Sequence, residues 1–95
     1  MQKPKDYAIR IIDKVQVKGK SEKVTVYEVF DADPAEIRDG KLSSKQEFEE
    51  AISLYQENSI RDAAKLFTNC LRTTPKDQVA KIYLRRCRDW RALLQ

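Results

Sequence analysis

The sequence predicts an α+β fold, in which an N-terminal antiparallel β-hairpin precedes a unit of three helices. Between residues 9 and 30, β-branched and aromatic residues form two runs around a polar, glycine-bearing segment, which is typical of two strands and a turn. From residue 43 onward, apolar residues recur at the three-four spacing of a helix face. These patterns predict a hairpin at 1–30, a linker at 31–42 and a helical segment at 43–95.

The predicted strands cover Ile9 to Val17 and Val24 to Phe30, with Lys18 to Lys23 as the turn. The second strand is apolar on both sides over most of its length, and such a strand requires cover on two faces. Because an isolated hairpin is marginally stable in water, we expect this one to dock on the helices. Within the linker, Ala35 to Arg38 is predicted to form a single helical turn.

Each predicted helix has a start signal. Ser44 and Ser59 are each followed three residues later by an acidic residue, which is the pattern of a side chain that caps a helix N-terminus. Thr74 and Pro75 are predicted to open the third helix, because proline is favoured at the first helical position. Asn58 is predicted to end the first helix in the left-handed conformation. The predicted buried residues are Phe48, Ala51, Tyr55, Ala63, Phe67, Leu71, Tyr83 and Leu84.

The helical segment resembles one tetratricopeptide repeat. The residues that carry this resemblance are Ala51, Tyr55, Ala63, Phe67 and Pro75. The match is partial, because Glu47 and Glu50 stand where the family usually has large apolar residues. The resemblance implies that the segment is a helical tail with a protein or peptide partner.

The hairpin resembles a second family. Arg10 is followed by a hydrophobic strand, then by Val17-Lys18-Gly19-Lys20, a short acidic turn and a strand that closes on Tyr27 and Val29. This order is similar to the last two strands of class III adenylate and guanylate cyclases. The resemblance implies a parent cyclase, with an adenylate cyclase preferred and both ATP and GTP open as its substrate. The implied partners are the rest of the catalytic domain and its dimer mate.

One functional residue carries over from the cyclases. Lys18 matches the position that reaches the triphosphate of the nucleotide in that family. Without the family, Lys18 is an ordinary solvated turn lysine. In such cyclases the metal-binding aspartates and the asparagine–arginine pair lie upstream of this hairpin. We therefore expect no catalytic residue, metal site or cofactor in this chain, inactivity of the chain alone, and a need for magnesium or manganese in the parent enzyme.

Composition limits the remaining classes of function. The sequence has no apolar run long enough to span a membrane, so we expect a cytoplasmic protein without a membrane partner. Cys70 and Cys87 fall on helical apolar faces and are interpreted as reduced thiols of the core or of an interface. The arginines at 85–91 and Trp90 suggest nucleic acid, but Trp90 continues the apolar face of the third helix. We therefore expect no nucleic-acid partner.

Two functional interpretations stay open. In the first, the chain is the C-terminal fragment of a class III cyclase, in which a catalytic-domain hairpin precedes a helical tail for protein interaction or regulation. In the second, it is a stand-alone, tetratricopeptide-like interaction module whose hairpin docks on its helices. A preceding domain with two spaced, metal-binding aspartates would distinguish the first from the second.

Overall fold

A computed structural model describes residues 8–16, 18–19 and 21–93, with side chains up to Trp90. It confirms the predicted α+β fold, with one antiparallel hairpin and four helices in the described part of the chain. The elements are β1 (Ile9–Gln16), β2 (Lys23–Val29), α1 (Ala35–Ser43), α2 (Lys45–Gln56), α3 (Ile60–Thr73) and α4 (Gln78–Leu93). Val17 and Lys20 of the predicted hairpin lie outside the described residues.

The two strands pair in register except at one point. Arg10 lies opposite Glu28 and Ile11 lies opposite Tyr27, but the next pair is Asp13 with Val26. Ile12 is therefore an extra residue in β1, which makes a β-bulge and bends the strand. Gly19 has a φ of 84° in the connecting turn, a conformation that glycine adopts without steric cost.

The prediction of a single helical turn in the linker was wrong, because α1 is a helix of nine residues. Gly40 lies inside α1, although glycine is less favourable than alanine in the interior of a helix. A Cβ atom at Gly40 would lie 2.0 Å from the Thr74 Oγ1 atom, so the missing side chain makes room for Thr74. Close packing between α1 and the residue after α3 therefore explains this glycine.

The predicted start of the last helix was also wrong. Thr74 and Pro75 belong to a turn, in which the Asp77 backbone N–H donates to the Thr74 carbonyl oxygen over 3.0 Å. The helix begins after Asp77, whose Oδ1 atom accepts a 3.2 Å hydrogen bond from the Ala80 backbone N–H. Aspartate is among the best N-cap residues, and proline is favoured early in such a turn. Pro75 thus shapes the turn and does not open the helix.

The two serine caps lie at the predicted positions but do not cap. Ser44 and Ser59 precede α2 and α3, yet neither side chain makes a cap hydrogen bond. The Ser44 hydroxyl donates to the Gly40 carbonyl oxygen over 2.9 Å instead, at the close junction between α1 and α2. Asn58 has a φ of 65°, which confirms the predicted left-handed residue between α2 and α3.

The core lies between α2, α3 and α4, and an aromatic cluster forms its centre. The Phe67 ring packs edge-on to Phe48, with centroids 5.7 Å apart, and stacks on Tyr83 at 5.2 Å. The predicted core is largely confirmed, since the buried set contains Phe48, Ala51, Ala63, Phe67 and Tyr83. Tyr55, Leu71 and Leu84 are half-buried against this set. The tetratricopeptide interpretation of these helices stays a prediction.

Both cysteines are buried in this core as free thiols. Burial raises the pKa of the Cys70 thiol to about 11, and it also raises the pKa of Cys87. Both side chains are therefore neutral near pH 7, where they fill space as small hydrophobic groups.

Candidate functional site

Arg10 of β1 fixes the hairpin on the helices. Its guanidinium is fully buried and donates two hydrogen bonds, of 2.8 Å and 2.7 Å, to the two carboxylate oxygens of Asp77. Its Nε atom donates a third, of 2.6 Å, to Glu28 on the opposite strand. Such a forked contact holds both position and orientation. Arg10 and Asp77 are 67 residues apart, so this ion pair joins the start of the hairpin to the start of α4.

Lys41 of α1 extends this buried network. Its Nζ atom lies 3.0 Å from a carboxylate oxygen of Glu28 and 2.6 Å from one of Asp33. Glu28 therefore lies between two cations, Arg10 and Lys41. We call Arg10, Glu28, Asp33, Lys41 and Asp77 the buried ion network. It connects β1 and β2 with α1 and with the start of α4, so two separate segments of the chain hold the hairpin.

Two aromatic rings lie close to the Arg10 guanidinium. The guanidinium carbon lies 3.7 Å from the centre of the Phe48 ring and 5.8 Å from that of Phe30. A cation over the face of an aromatic ring is attracted by the ring quadrupole, most strongly where water is excluded. Phe48 belongs to the helical core, so Arg10 contacts that core directly.

The pKa values of three members, Arg10, Lys41 and Asp77, are shifted in the directions that favour charge. Burial alone would raise the pKa of Asp77, but the hydrogen bonds and charge of Arg10 outweigh it and lower that pKa. Burial alone would lower the pKa values of Arg10 and Lys41, but their carboxylate partners raise both. Arg10, Lys41 and Asp77 are therefore charged near neutral pH.

The outer edge of β1 is occupied by helix side chains. The Ile11 backbone N–H donates to a Glu49 carboxylate oxygen over 2.7 Å, and the Tyr83 hydroxyl donates to the Ile12 carbonyl oxygen over 2.5 Å. Gln56 donates to the Lys14 carbonyl oxygen over 3.4 Å. These contacts satisfy backbone groups that would otherwise attract another strand. The predicted docking of the hairpin on the helices is thus confirmed.

The outer edge of β2 lacks such contacts within the described part of the chain. Phe30 donates its backbone N–H to the Ala8 carbonyl oxygen, so the alternate residues Thr25, Tyr27 and Val29 direct their N–H and C=O groups away from β1. Among the described residues, none hydrogen-bonds to these groups. Tyr27 is 54% exposed and Val29 is 72% exposed. We call the outward backbone groups of Thr25, Tyr27 and Val29, with the Tyr27 and Val29 side chains, the open β2 edge.

Lys18 lies in the turn at the far end of the hairpin from Arg10. Its side chain is exposed, and no described residue forms an ion pair or hydrogen bond with it. The structure therefore does not bring Lys18 together with the ion network. Its match to the nucleotide-binding lysine of the cyclases stays a prediction.

The acidic residues near the hairpin do not fit a two-metal site. Both carboxylate oxygens of Asp77 accept from Arg10, while Glu28 and Asp33 are paired with Lys41. Across the described residues, no group of three histidine, cysteine or acidic side chains is arranged as a metal site. A phosphoryl-transfer site needs carboxylates that are free to bind the metal ions. These carboxylates stabilise the fold instead.

The ion network was not predicted from the sequence patterns. Arg10 was noted as part of a family pattern, and its role as the anchor of the hairpin was missed. One signal was available: an arginine placed before a run of β-branched residues lies in a strand with a buried face, where a cation requires a partner. The partner itself could not be identified, because several carboxylates in the sequence satisfy that condition equally well.

The sequence of the chain is similar to part of a known protein. The chain is 34% identical over 82 residues to the terminal-differentiation-specific adenylate cyclase of Dictyostelium discoideum. This stretch covers 86% of the chain but only 4% of the length of that cyclase. No family model and no solved structure matches the chain. The chain is therefore related to a short segment of an adenylate cyclase.

The length of the similarity shows which elements it includes. The match covers 82 of the 95 residues, so it includes residues 14–82 wherever in the chain it begins. It therefore covers β2, α1, α2 and α3 as well as the hairpin turn. β2 and the first three helices are similar to one segment of the cyclase together, so the similarity extends beyond the short strand pattern. In the described part of the chain, no helix has the length and apolar character needed to cross a bilayer.

Proposed function

We propose that this chain is the C-terminal fragment of a class III adenylate cyclase, in which the hairpin completes the sheet of the catalytic domain. The observation that carries the proposal is the open β2 edge, in a chain that is similar to a segment of an adenylate cyclase. In this proposal the helices form a tetratricopeptide-like tail that supports the hairpin and contacts other proteins.

The two edges of the hairpin differ in a way that favours addition to a sheet. Side chains of α2 and α4 occupy the edge of β1, so a further strand has access only to β2. Single domains normally protect a long apolar edge, because it pairs readily with other strands. The pairing partner that we propose is a strand from the rest of the catalytic domain. Tyr27 and Val29 then become buried on the same face of the extended sheet.

The proposed division of labour leaves the chemistry to the rest of the parent enzyme. The carboxylates of Asp77, Glu28 and Asp33 are paired with Arg10 and Lys41, and we propose that magnesium or manganese is held elsewhere in the parent. We therefore propose that the chain alone forms no cyclic nucleotide. Incubation with ATP or GTP and manganese checks this, and turnover above a blank would contradict it.

The first test of the proposal concerns the open β2 edge in the parent enzyme. Val29→Glu is expected to change the stability of the isolated chain by no more than about 0.5 kcal/mol, because Val29 is 72% exposed there. In the parent, the same charge would be buried against a neighbouring strand, and activity is expected to fall at least about tenfold. The measurements are chemical denaturation of the chain and a cyclase assay of the parent.

Ile82→Glu is the matched control, because Ile82 is also an exposed apolar residue, at 47%, but lies on α4. It is expected to leave the activity of the parent unchanged. Equal effects of the two substitutions on activity would show that the β2 edge has no special role. An upstream reading frame that lacks a domain with two metal-binding aspartates would refute the fragment proposal as a whole.

A second test concerns Lys18. In the parent enzyme we propose that its ammonium group contacts the triphosphate of the nucleotide, as its position in the hairpin turn allows. Lys18→Ala is then expected to lower kcat/KM by an amount equivalent to about 1 to 3 kcal/mol. Lys20→Ala, two positions further along the sequence, should have a smaller effect. Steady-state kinetics would reject the assignment if both substitutions had equal effects or if Lys18→Ala had none.

A further inference from the structure

A groove with a volume of about 420 Å3 runs between α3 and α4, on a side of the helices that the hairpin does not use. Ala64, Leu84 and Cys87 give it an apolar floor. The Thr68 hydroxyl also lines it, but it donates to the Ala64 carbonyl oxygen over 2.8 Å within its own helix. The floor therefore offers almost no free polar group to a ligand.

The rim of the groove is formed by three exposed cations, Arg61, Lys65 and Arg88. Among the described residues, none of the three has an ion-pair partner, whereas Arg10 and Lys41 each have two. Arg61 and Lys65 are four residues apart on α3, where like charges destabilise a helix slightly. These cations form no ion pair with the described residues, which leaves three positive charges beside an apolar floor.

We propose that this groove binds an amphipathic helix from another protein, with a narrow apolar stripe on the floor and carboxylates facing Arg61, Lys65 and Arg88. A groove between two helices accepts a third helix, whose residues at three-four spacing fill it. The uncompensated cations select acidic flanks on that helix through charge complementarity. This proposal does not depend on the proposed cyclase function.

Nucleic acid fits the groove less well. Proteins that bind single strands combine cations with aromatic rings on which the bases stack. No aromatic side chain of the described residues lines the groove, and Tyr55 and Trp90 line a separate depression with Arg86 and Asp89. An aliphatic floor suits leucine or methionine side chains rather than bases.

The test uses a synthetic 14-residue helical peptide with a leucine stripe and four flanking glutamates, labelled for fluorescence anisotropy. A second peptide with glutamine in place of glutamate is the neutral control, and a single-stranded oligonucleotide of equal charge is the competitor. We expect the acidic peptide to bind at least about tenfold more tightly than the neutral one. Amide shifts in NMR spectra are expected to concentrate at Ala64, Thr68 and Leu84.

Charge reversal locates the site. Lys65→Glu is expected to weaken binding of the acidic peptide by about tenfold, whereas Lys76→Glu, in the exposed turn before α4, should leave it unchanged. Any of four results would overturn the proposal: no binding of the acidic peptide, equal loss in both variants, tighter binding of the oligonucleotide, or a dimer of this chain that occupies the groove. The peptide comparison on the unaltered chain decides the question even if a variant fails to fold.

Discussion

Asp77→Ala is expected to lower the free energy of unfolding by about 3 to 5 kcal/mol, the cost of leaving a buried charge without its partner. The Arg10 guanidinium is fully buried and would keep only Glu28 and two aromatic rings as neighbours. The substitution also removes the Oδ1 atom that accepts the Ala80 N–H at the start of α4. Losing such a cap typically costs about 1 kcal/mol, which is contained in the expected total.

Three comparison variants separate these effects in urea denaturation. Asp39→Ala removes an exposed carboxylate of α1 and is expected to have almost no effect. Asp77→Ser keeps a capping side chain but removes the negative charge, so it should recover only the loss of the cap. In the double variant Arg10→Met, Asp77→Leu, both charges are replaced and most of the stability is expected to return. A loss below about 1 kcal/mol for Asp77→Ala would contradict the role of the ion network.

The same carboxylate makes stability depend on pH in a defined direction. The pKa of Asp77 is lower in the folded protein than in the unfolded chain, where it is about 3.9. Its contribution is therefore fully present above that value and is lost as the pH falls through the lower, folded pKa. The pKa of Arg10 is raised, so the guanidinium stays charged throughout this range. The stability difference between the unaltered chain and Asp77→Ala should shrink progressively below about pH 4.

The elements that the sequence predicts correctly are those that depend on local patterns. Alternation and β-branched residues located β1 and β2, and helical periodicity located the buried faces of α2 and α3. Asn58 was predicted because few residues other than glycine adopt the left-handed conformation. Each of these features arises from neighbours within one or two turns of the chain.

The features that were missed depend on contacts between distant residues. Gly40 lies inside a helix because Thr74, which is far along the chain, fills the space of its missing side chain. The last helix begins directly after Asp77 and not after Thr74, although both are acceptable cap residues, and only Asp77 pairs with Arg10. A propensity scale does not include such partners. The candidate site was predicted only in part. The β2 edge is open because the helices cover β1 instead, and the sequence does not indicate which of the two strands they cover.

Phe67 packs against the two aromatic residues that contact β1, Phe48 and Tyr83. Removing its ring is therefore expected to weaken both contacts between the helices and β1. Its ring is fully buried and contacts Phe48, which lies under Arg10, and Tyr83, which donates to Ile12. Phe67→Ala is therefore expected to lower the free energy of unfolding by about 3 to 5 kcal/mol, the usual cost of removing a buried phenylalanine.

The effect of Phe67→Ala should also reach the hairpin. Amide exchange at Arg10 and Ile12 in β1 is expected to accelerate by at least the same factor as exchange in α3, because the rings that hold β1 lose their shared support. Leu71→Ala is the control, since Leu71 is half-buried against the core and makes none of these ring contacts. Leu71→Ala should destabilise the chain less than Phe67→Ala does. Amide exchange in β1 should then accelerate only as far as the lower global stability requires. If β1 kept its protection in Phe67→Ala while α3 lost it, the hairpin would be anchored independently of the aromatic cluster.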